Sequence, residues 1–389
     1  MYFLLVLLIV ISYLVVEKIF HDRRVKRIPI RIHVNGTRGK SSVVRLIAEV
    51  LRKAGITTLA KVTGTEPALV FPDGHEERIE RRGPSRIQEQ VWLIKRAARL
   101  SVEAIVVECM AIEPRLQFAS EVNMLKSTIG VITNVRPDHF EVMGETLDDM
   151  ADSLSESIPF HGALVTGDAR YFPLFQKECE KRNTKAYLTE KTESTLDPGE
   201  SSATIHWEHL SIVKQVCSLI EKMSSSTLET SINAIPERED ANGIKTRVYG
   251  KAIRFVDAFS ANDIQSTRII QMEAMSSKPF SRPVVAILNN RADRPLRMLS
   301  FASLLSEESS YDEICLVGDL QGLARRAIRR GGSKIPVHLL KDRGEPDGWL
   351  KEICGRISAS EFTLVGMGNY KGPGERLIRF LGQKGERTC

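Results

Sequence analysis

One glycine-rich loop and the ends of two further apolar runs hold the residues best suited to do chemistry. The run His33–Val34–Asn35–Gly36–Thr37–Arg38–Gly39–Lys40–Ser41–Ser42 sets two glycines ahead of a Lys-Ser pair. A glycine turn that opens a helix leaves backbone N–H groups free at the helix N-terminus, where they and the helix dipole favour a phosphate. In such a loop Gly36, Thr37, Arg38, Gly39 and Ser42 shape the cradle. Lys40 reaches the β- and γ-phosphates, and the Ser41 hydroxyl ligates Mg²⁺. The strict pattern asks for a glycine five residues before Gly39, where Val34 stands. The regular expression therefore fails at one position while the strand-turn-helix context succeeds. Further along, Glu108 closes an apolar run and can hold the nucleotide's Mg²⁺ together with Ser41. His139 follows a third apolar run, with Asn134 and Asp138 just before it.

These residues need a scaffold, and the flanking patterns supply one. Ile28, Ile30, Ile32 and Val34 alternate as a strand. Val43 to Arg52 repeats apolar residues at three and four, as an amphipathic helix does. Val102–Val107 and Ser127–Val135 are near-continuous apolar strands, and helical patterns lie between them. Buried strands alternating with helices predict a parallel sheet covered on both faces, with ligands at its carboxyl edge. Loop composition marks residues 189–203, Ser224–Ser226 and the stretch from Pro236 to Gly243. The last is the expected junction between two domains. Beyond it, Ile253–Asp257, Pro283–Leu288, Glu313–Gly318 and Phe362–Gly366 predict a second, smaller Rossmann-like α/β domain.

The chain has 389 residues, enough for two or three cores, and a net charge of +6 that by itself favours neither nucleic acid nor membrane. Its six cysteines are scattered without a Cys-x-x-Cys pair, so neither a zinc site nor a disulfide framework is expected. Tyr2 to Val16 is almost wholly apolar and is followed by Arg23, Arg24, Lys26 and Arg27. Basic residues on the C-terminal flank, with no small-residue cleavage site, predict a single transmembrane anchor over residues 1–20. The positive-inside rule then places the body in the cytoplasm.

The Gly36–Ser42 loop resembles the short P-loop of the Mur ligase superfamily, and Ile132–His139 resembles its Thr-Asn…Asp-His segment. Four further runs resemble the ligase subunit of poly-γ-glutamate synthase, the CapB/PgsB family. They are Glu108–Ala111, Phe259–Asp263 with Ser266–Thr267, Arg291–Arg294, and Gly366–Asn369. The resemblance spans nearly the whole chain. It implies a Mur-ligase-like ATP-binding domain over 21–242 and a C-terminal Rossmann-like ligase domain over 243–389.

What the resemblance implies is ATP-dependent amide formation through an acyl phosphate, polymerising glutamate into poly-γ-glutamate. Ser41 and Glu108 would serve one Mg²⁺ and His139 a second, with Lys40 on the transferring phosphate. Asn134, Asp257 and Arg247 would lie near the nucleotide. Asn262, Asp263, Arg291, Asp293 and Arg294 would face the substrate. The resemblance also implies a multispanning membrane partner subunit. It is compatible with a homo-oligomer, and no nucleic acid is expected. Arg81, Arg82 and Arg86 form a basic segment after the P-loop helix suited to bidentate carboxylate recognition.

Two departures stand out. Ser153 occupies the position of the superfamily's metal-bridging lysine, and its adenine motif has no clean counterpart, the nearest stretch being Trp207–His209. The competing readings are a folylpolyglutamate-type ligase and a membrane-anchored P-loop regulator or kinase of envelope biogenesis.

Overall fold

The computed structural model describes residues 2–63, 67–81, 83, 85–137, 140–189, 207–234, 244–261, 264–277, 279–340 and 345–384. Their contacts divide into two compact units, one drawn from residues 2–189 and 207–234, the other from 244–384.

In the first unit α1 (Tyr2–Lys26) precedes β1 (Ile30–Asn35), α2 (Lys40–Lys53), β2 (Thr58–Val62), β3 (Ala68–Val70) and β4 (Glu76–Arg78). Next come α3 (Glu89–Leu100), β5 (Ala104–Glu108) and α4 (Pro114–Ala119), which runs into a π-helical turn over Ser120–Leu125. The unit continues with β6 (Ile129–Ile132), α5 (Phe140–Met143), α6 (Leu147–Ser155), β7 (Ala163–Thr166), α7 (Phe172–Lys181) and β8 (Lys185–Leu188). It closes with α8 (Trp207–Ser218) and α9 (Ser225–Asn233).

The eight strands form one sheet in the order β4-β3-β2-β5-β1-β6-β7-β8. It is parallel from β2 to β8, and β3 and β4 add an antiparallel edge. β1 and β5 sit at its centre; β5 is apolar up to Glu108 and buried throughout, and β1 is buried from Ile32 to Asn35 although Arg31, His33 and Asn35 alternate with its apolar residues. On one face Val43, Val44, Ile47 and Leu51 of α2 pack with Ile212, Val213 and Val216 of α8 against Ile32 and Val34. On the other, Leu93, Ile94 and Ala97 of α3 cover Ile105 and Val107.

One expectation changes, and the helix that holds residues 2–20 continues beyond them. Ser224–Ser226 is not a loop: the Ser224 hydroxyl accepts from the Thr227 amide at 3.1 Å and caps α9, the role in which serine competes best with helix interiors. And α1 does not stop at residue 20. Residues Tyr2 to Phe20 are exposed, but the helix runs on to Lys26 and buries His21 and Val25 against the body. His21 Nε2 lies 2.8 Å from the Met124 carbonyl, and Lys126 pairs with Asp22 at 2.9 Å. Val25 joins the core of Ile28, Leu93, Val102 and Leu125.

The second unit comprises β9 (Ile244–Val248), β10 (Lys251–Asp257), α10 (Ile264–Ser277), β11 (Val284–Asn290), α11 (Pro295–Glu307) and β12 (Glu313–Gly318). These are followed by α12 (Gln321–Arg330), β13 (Val337–Leu339), α13 (Pro346–Arg356), β14 (Glu361–Gly368) and α14 (Pro373–Lys384). Its six-stranded sheet runs β13-β12-β11-β14-β10-β9, parallel except for β9. Both sheets are covered by helices on each side, the α/β architecture the strand-helix alternation predicts.

Candidate active site

The phosphate loop lies where β1 ends and α2 begins. Gly39 adopts φ +81°, and without a side chain it leaves the first turn of α2 uncapped, so those N–H groups are available to an anion. Gly36, at φ +119°, passes so close to the next strand end that a Cβ there would stand 2.1 Å from Thr133 Oγ1. A Cβ on Gly39 would stand 2.2 Å from His209 Nε2, so α8 brings an imidazole against the loop. Sequence reasoning reached His209 only as the nearest stretch to a missing motif; its place over Gly39 is a property of the fold.

Asn134 is the brace of this loop. Its Oδ1 accepts from the Thr37 hydroxyl at 2.8 Å and from the Arg38 amide at 3.1 Å, while its Nδ2 donates to the Arg38 carbonyl at 3.2 Å. Thr133 donates to that same carbonyl at 2.6 Å, and the Thr37 hydroxyl accepts from the Arg136 amide at 2.8 Å. Asn134, expected beside the nucleotide, thus spends its polar atoms on the loop itself. Lys40 Nζ donates to the Gly36 carbonyl at 2.7 Å.

The Ser41 hydroxyl donates to Glu108 Oε2 at 2.8 Å, and the Thr63 amide donates to the same oxygen at 2.7 Å. Register makes this meeting inevitable: β1 and β5 pair Val34 with Glu108, so the carboxylate ends its strand beside the start of α2. Two cis ligands of an octahedral Mg²⁺ at 2.0–2.1 Å lie about 3 Å apart. The Ser41–Glu108 oxygens fit that edge, and Mg²⁺ ordinarily completes its shell with waters and phosphate oxygens. Glu108 is buried, and a cavity of about 190 Å³ opens beside it, lined by Lys40, Thr37, Thr63, Cys109 and Met110 among others. His139 lies outside the described residues, so the second metal ligand is not placed here.

Buried polar groups that the sequence did not single out surround this floor. His33 Nδ1 and Glu121 Oε2 form an ion pair of 2.9 Å, both groups almost fully buried. Burial alone would lower the pKa of His33; the neighbouring Cys109 sulfur and the Glu121 carboxylate reverse that and raise it to about 10. Lys61, fully buried on β2, meets Glu89 at 2.8 Å, and Arg81 grips the same carboxylate at 2.9 Å. Burial lowers the pKa of Lys61 against the pull of Glu89. Burial would raise Glu89, but hydrogen bonds from Arg81 and Lys61 hold it below the usual carboxylate range. Arg81 is therefore engaged within the unit, Arg86 is exposed, and Arg82 lies outside the described residues. Ser153 is buried and accepts from Gln117 Nε2 at 3.2 Å, while Gln117 Oε1 accepts from Asn35 at 2.7 Å. A neutral amide-hydroxyl network occupies the lysine position.

In the second unit the carboxyl ends of β10, β11 and β14 gather another set. Asp257 ends β10, and its Oδ1 accepts from the Phe259 amide at 3.0 Å. Arg291 and Asp293 pair with each other at 2.6 Å, and Arg294 precedes α11. Asn369 Nδ2 donates to the Asn289 carbonyl at 3.0 Å, and Arg297 donates to Asn369 Oδ1 at 2.9 Å. Asn289 carries no sequence signal beyond its strand-end position. Arg247 is exposed on the edge strand β9. Asn262 and Asp263 lie outside the described residues.

Against this geometry the comparisons with known proteins are specific. The Mur ligase middle domain model matches residues 34–246, and the poly-gamma-glutamate synthase CapB C-terminal domain model matches 244–384. PGA synthase CapB of Bacillus subtilis (strain 168) is 30% identical over 369 residues, covering 94% of this chain and 93% of that protein. This chain belongs to the CapB family of poly-gamma-glutamate synthases. Capsule biosynthesis protein CapB of Bacillus anthracis is 32% identical over 380 residues, covering 95% of this chain and 80% of the relative. Among solved structures, a bifunctional folylpolyglutamate synthase/dihydrofolate synthase from Yersinia pestis, complexed with AMPPNP and Mn ion, superposes with a TM-score of 0.67. It is 10% identical and covers 93% of this chain and 92% of that one. At that identity the likeness shows the shared fold. This CapB-family chain is thus an ATP-dependent amide ligase by class, built on the Mur ligase scaffold.

Proposed function

We propose that this chain extends poly-γ-glutamate by spending the γ-phosphate of ATP on a γ-carboxylate and letting the amino group of a further glutamate displace phosphate. The observation that carries the reading is the 2.8 Å pairing of Ser41 and Glu108 beside a phosphate loop, in a chain of this family. A carboxylate and a phosphate repel, so the protein must gather positive charge and oriented N–H groups before the two can react. The uncapped first turn of α2 receives the phosphates, and Lys40 turns from the Gly36 carbonyl to the γ-phosphate. Asn134 and Thr133 keep the loop in shape while Lys40 moves. Ser41 and Glu108 would hold Mg²⁺, which neutralises phosphate charge. His139 is proposed to serve a second ion nearer the substrate carboxylate. Asn262, Asp263, Arg291, Asp293, Arg294, Asp257 and Arg247 are proposed to take part from the second unit.

Helix α1, with a mean hydropathy of 2.5 over its apolar window and none of that window buried, is long enough to cross a bilayer. We read it as a single-pass anchor with the body in the cytoplasm. One helix cannot conduct a polyanion across a membrane, so a multispanning partner subunit is expected. A folylpolyglutamate ligase is the secondary reading, supported by fold alone. The deciding experiment is phosphate release from ATP by membranes carrying this chain, with and without L- or D-glutamate, followed by analysis of γ-linked product. Phosphate release indifferent to glutamate, or a product requiring a pteridine-tailed acceptor, would overturn the reading.

A further inference from the structure

Helix α12 carries four arginines, Arg325, Arg326, Arg329 and Arg330, all exposed. They line one concavity of about 460 Å³ together with Val337 of β13. Among the described residues none of the four side chains makes an ion pair or hydrogen bond. The buried face of the helix, Ala324 and Ile328, is what holds it to its sheet, so the arginines are not required for packing. Basic residues in a last turn offset the helix dipole, but that effect fades within one turn and leaves Arg325 and Arg326 unexplained. Four exposed guanidinium groups along one groove create a local positive potential that attracts anions.

We propose that this hollow binds the poly-γ-glutamate chain itself, holding the polymer between successive additions. The inference rests on the ligase reading above. Each γ-linked unit keeps one free α-carboxylate, and guanidinium forks pair with carboxylates in bidentate geometry. The spacing agrees as well. Arg325 and Arg329, and Arg326 and Arg330, are four residues apart, which is about 6 Å along a helix. A three-bond α-peptide unit spans at most ~3.6 Å, so a five-bond γ-linked unit spans about 6 Å. An extended strand of carboxylates can follow this shallow groove with its charges in the register of the arginines, a repeat that a lipid surface does not have.

The test uses the full chain in detergent micelles and a fluorescein-labelled γ-linked oligoglutamate, followed by anisotropy. The oligomer is expected to bind tighter than free glutamate and to weaken as salt rises. The variant carrying Arg325→Gln, Arg326→Gln, Arg329→Gln and Arg330→Gln should lose affinity on the order of tenfold or more, because small gains from four exposed carboxylate contacts multiply. An unchanged thermal midpoint confirms that the variant is folded, and an Arg325→Gln, Arg329→Gln double variant should fall between. Equal binding by wild type and quadruple variant overturns the proposal. So does displacement of the label by phosphatidylglycerol micelles or an oligonucleotide as effective as displacement by unlabelled oligomer. Glutamate-dependent phosphate release by the wild-type chain, measured in parallel, tests the ligase reading separately.

Discussion

Lys40 Nζ donates to the carbonyl of Gly36 at 2.7 Å, so the cation expected on the γ-phosphate also closes its own loop. The contact keeps the ammonium group at the mouth of the loop. Removing a preorganised charge of this kind typically costs on the order of 10²–10³ in rate. Lys40→Ala should lose that much glutamate-dependent phosphate release while nucleotide affinity falls less. Wild-type turnover in the variant would take Lys40 out of the reaction.

Glu108 acts by a different route, and its variant should show it. The carboxylate receives Ser41 and the Thr63 amide through one oxygen, Oε2, which leaves Oε1 free of both. Glu108→Ala should weaken Mg²⁺ retention, so its defect should shrink as Mg²⁺ is raised. A titration of phosphate release against Mg²⁺ distinguishes this from a purely structural loss, whose deficit would be the same at every concentration.

Gly36 should tolerate no side chain. Its φ of +119° is unfavourable for alanine, and the added Cβ would press on Thr133 Oγ1 at 2.1 Å and on the Thr133 backbone nitrogen at 2.8 Å. Strain of this type costs about 1–3 kcal/mol before any clash is counted. Gly36→Ala is expected to lower the thermal midpoint and to abolish measurable nucleotide binding. A variant with both unchanged would show that the loop can move without cost.

The sheet of the first unit was legible because β5 and β6 are apolar runs, β1 alternates apolar and polar residues, and glycines mark the loop that follows β1. The Ser41–Glu108 meeting was legible too, since Ser41 opens the helix that follows β1, Glu108 ends β5, and a parallel sheet brings both to one edge. What the sequence hid are contacts made by ordinary residues at long separation. Nothing in the types of His33 and Glu121, 88 positions apart, announces a buried ion pair. Asn289 and Asn369 lock together because β11 and β14 are neighbours, an order that no local pattern encodes. The packing of His21 and Val25 on the body was hidden for a similar reason: the basic run around them says nothing of the residues they meet, Met124, Leu93 and Leu125.

The His33–Glu121 pair gives the protein a pH signature. In the unfolded chain His33 releases its proton near 6.5; in the folded chain it keeps it to about 10. The folded state therefore binds more protons across that window, and stability falls as pH rises through it. Below pH 6.5 the contribution is fully present. Denaturant midpoints taken across that range should decline for the wild type and decline less for His33→Gln. Glu121→Gln removes one of the two groups that raise His33 and leaves the Cys109 sulfur in place, so it should reduce the slope without abolishing it, at a lower overall stability. An identical slope in all three proteins would assign the effect to other groups.

The last prediction separates the two halves of α1. Its exposed part, Tyr2 to Phe20, makes no buried contact, whereas His21 and Val25 are 4% and 3% exposed. A chain beginning at His21 keeps Val25 against Leu93 and Leu125 and should fold, appearing in the soluble fraction with its nucleotide site intact. A chain beginning at Arg27 loses that contact and bares the apolar surface beneath it. Burying a side chain of this size is worth about 1.5–3 kcal/mol, so this shorter form should melt lower and aggregate more readily. Fractionation and thermal melts of the two truncations decide the matter. Recovery of the His21 form in the membrane pellet, still folded, would show that α1 is not what holds the protein there. Equal stability of both forms would show that its inner turns do not belong to the core.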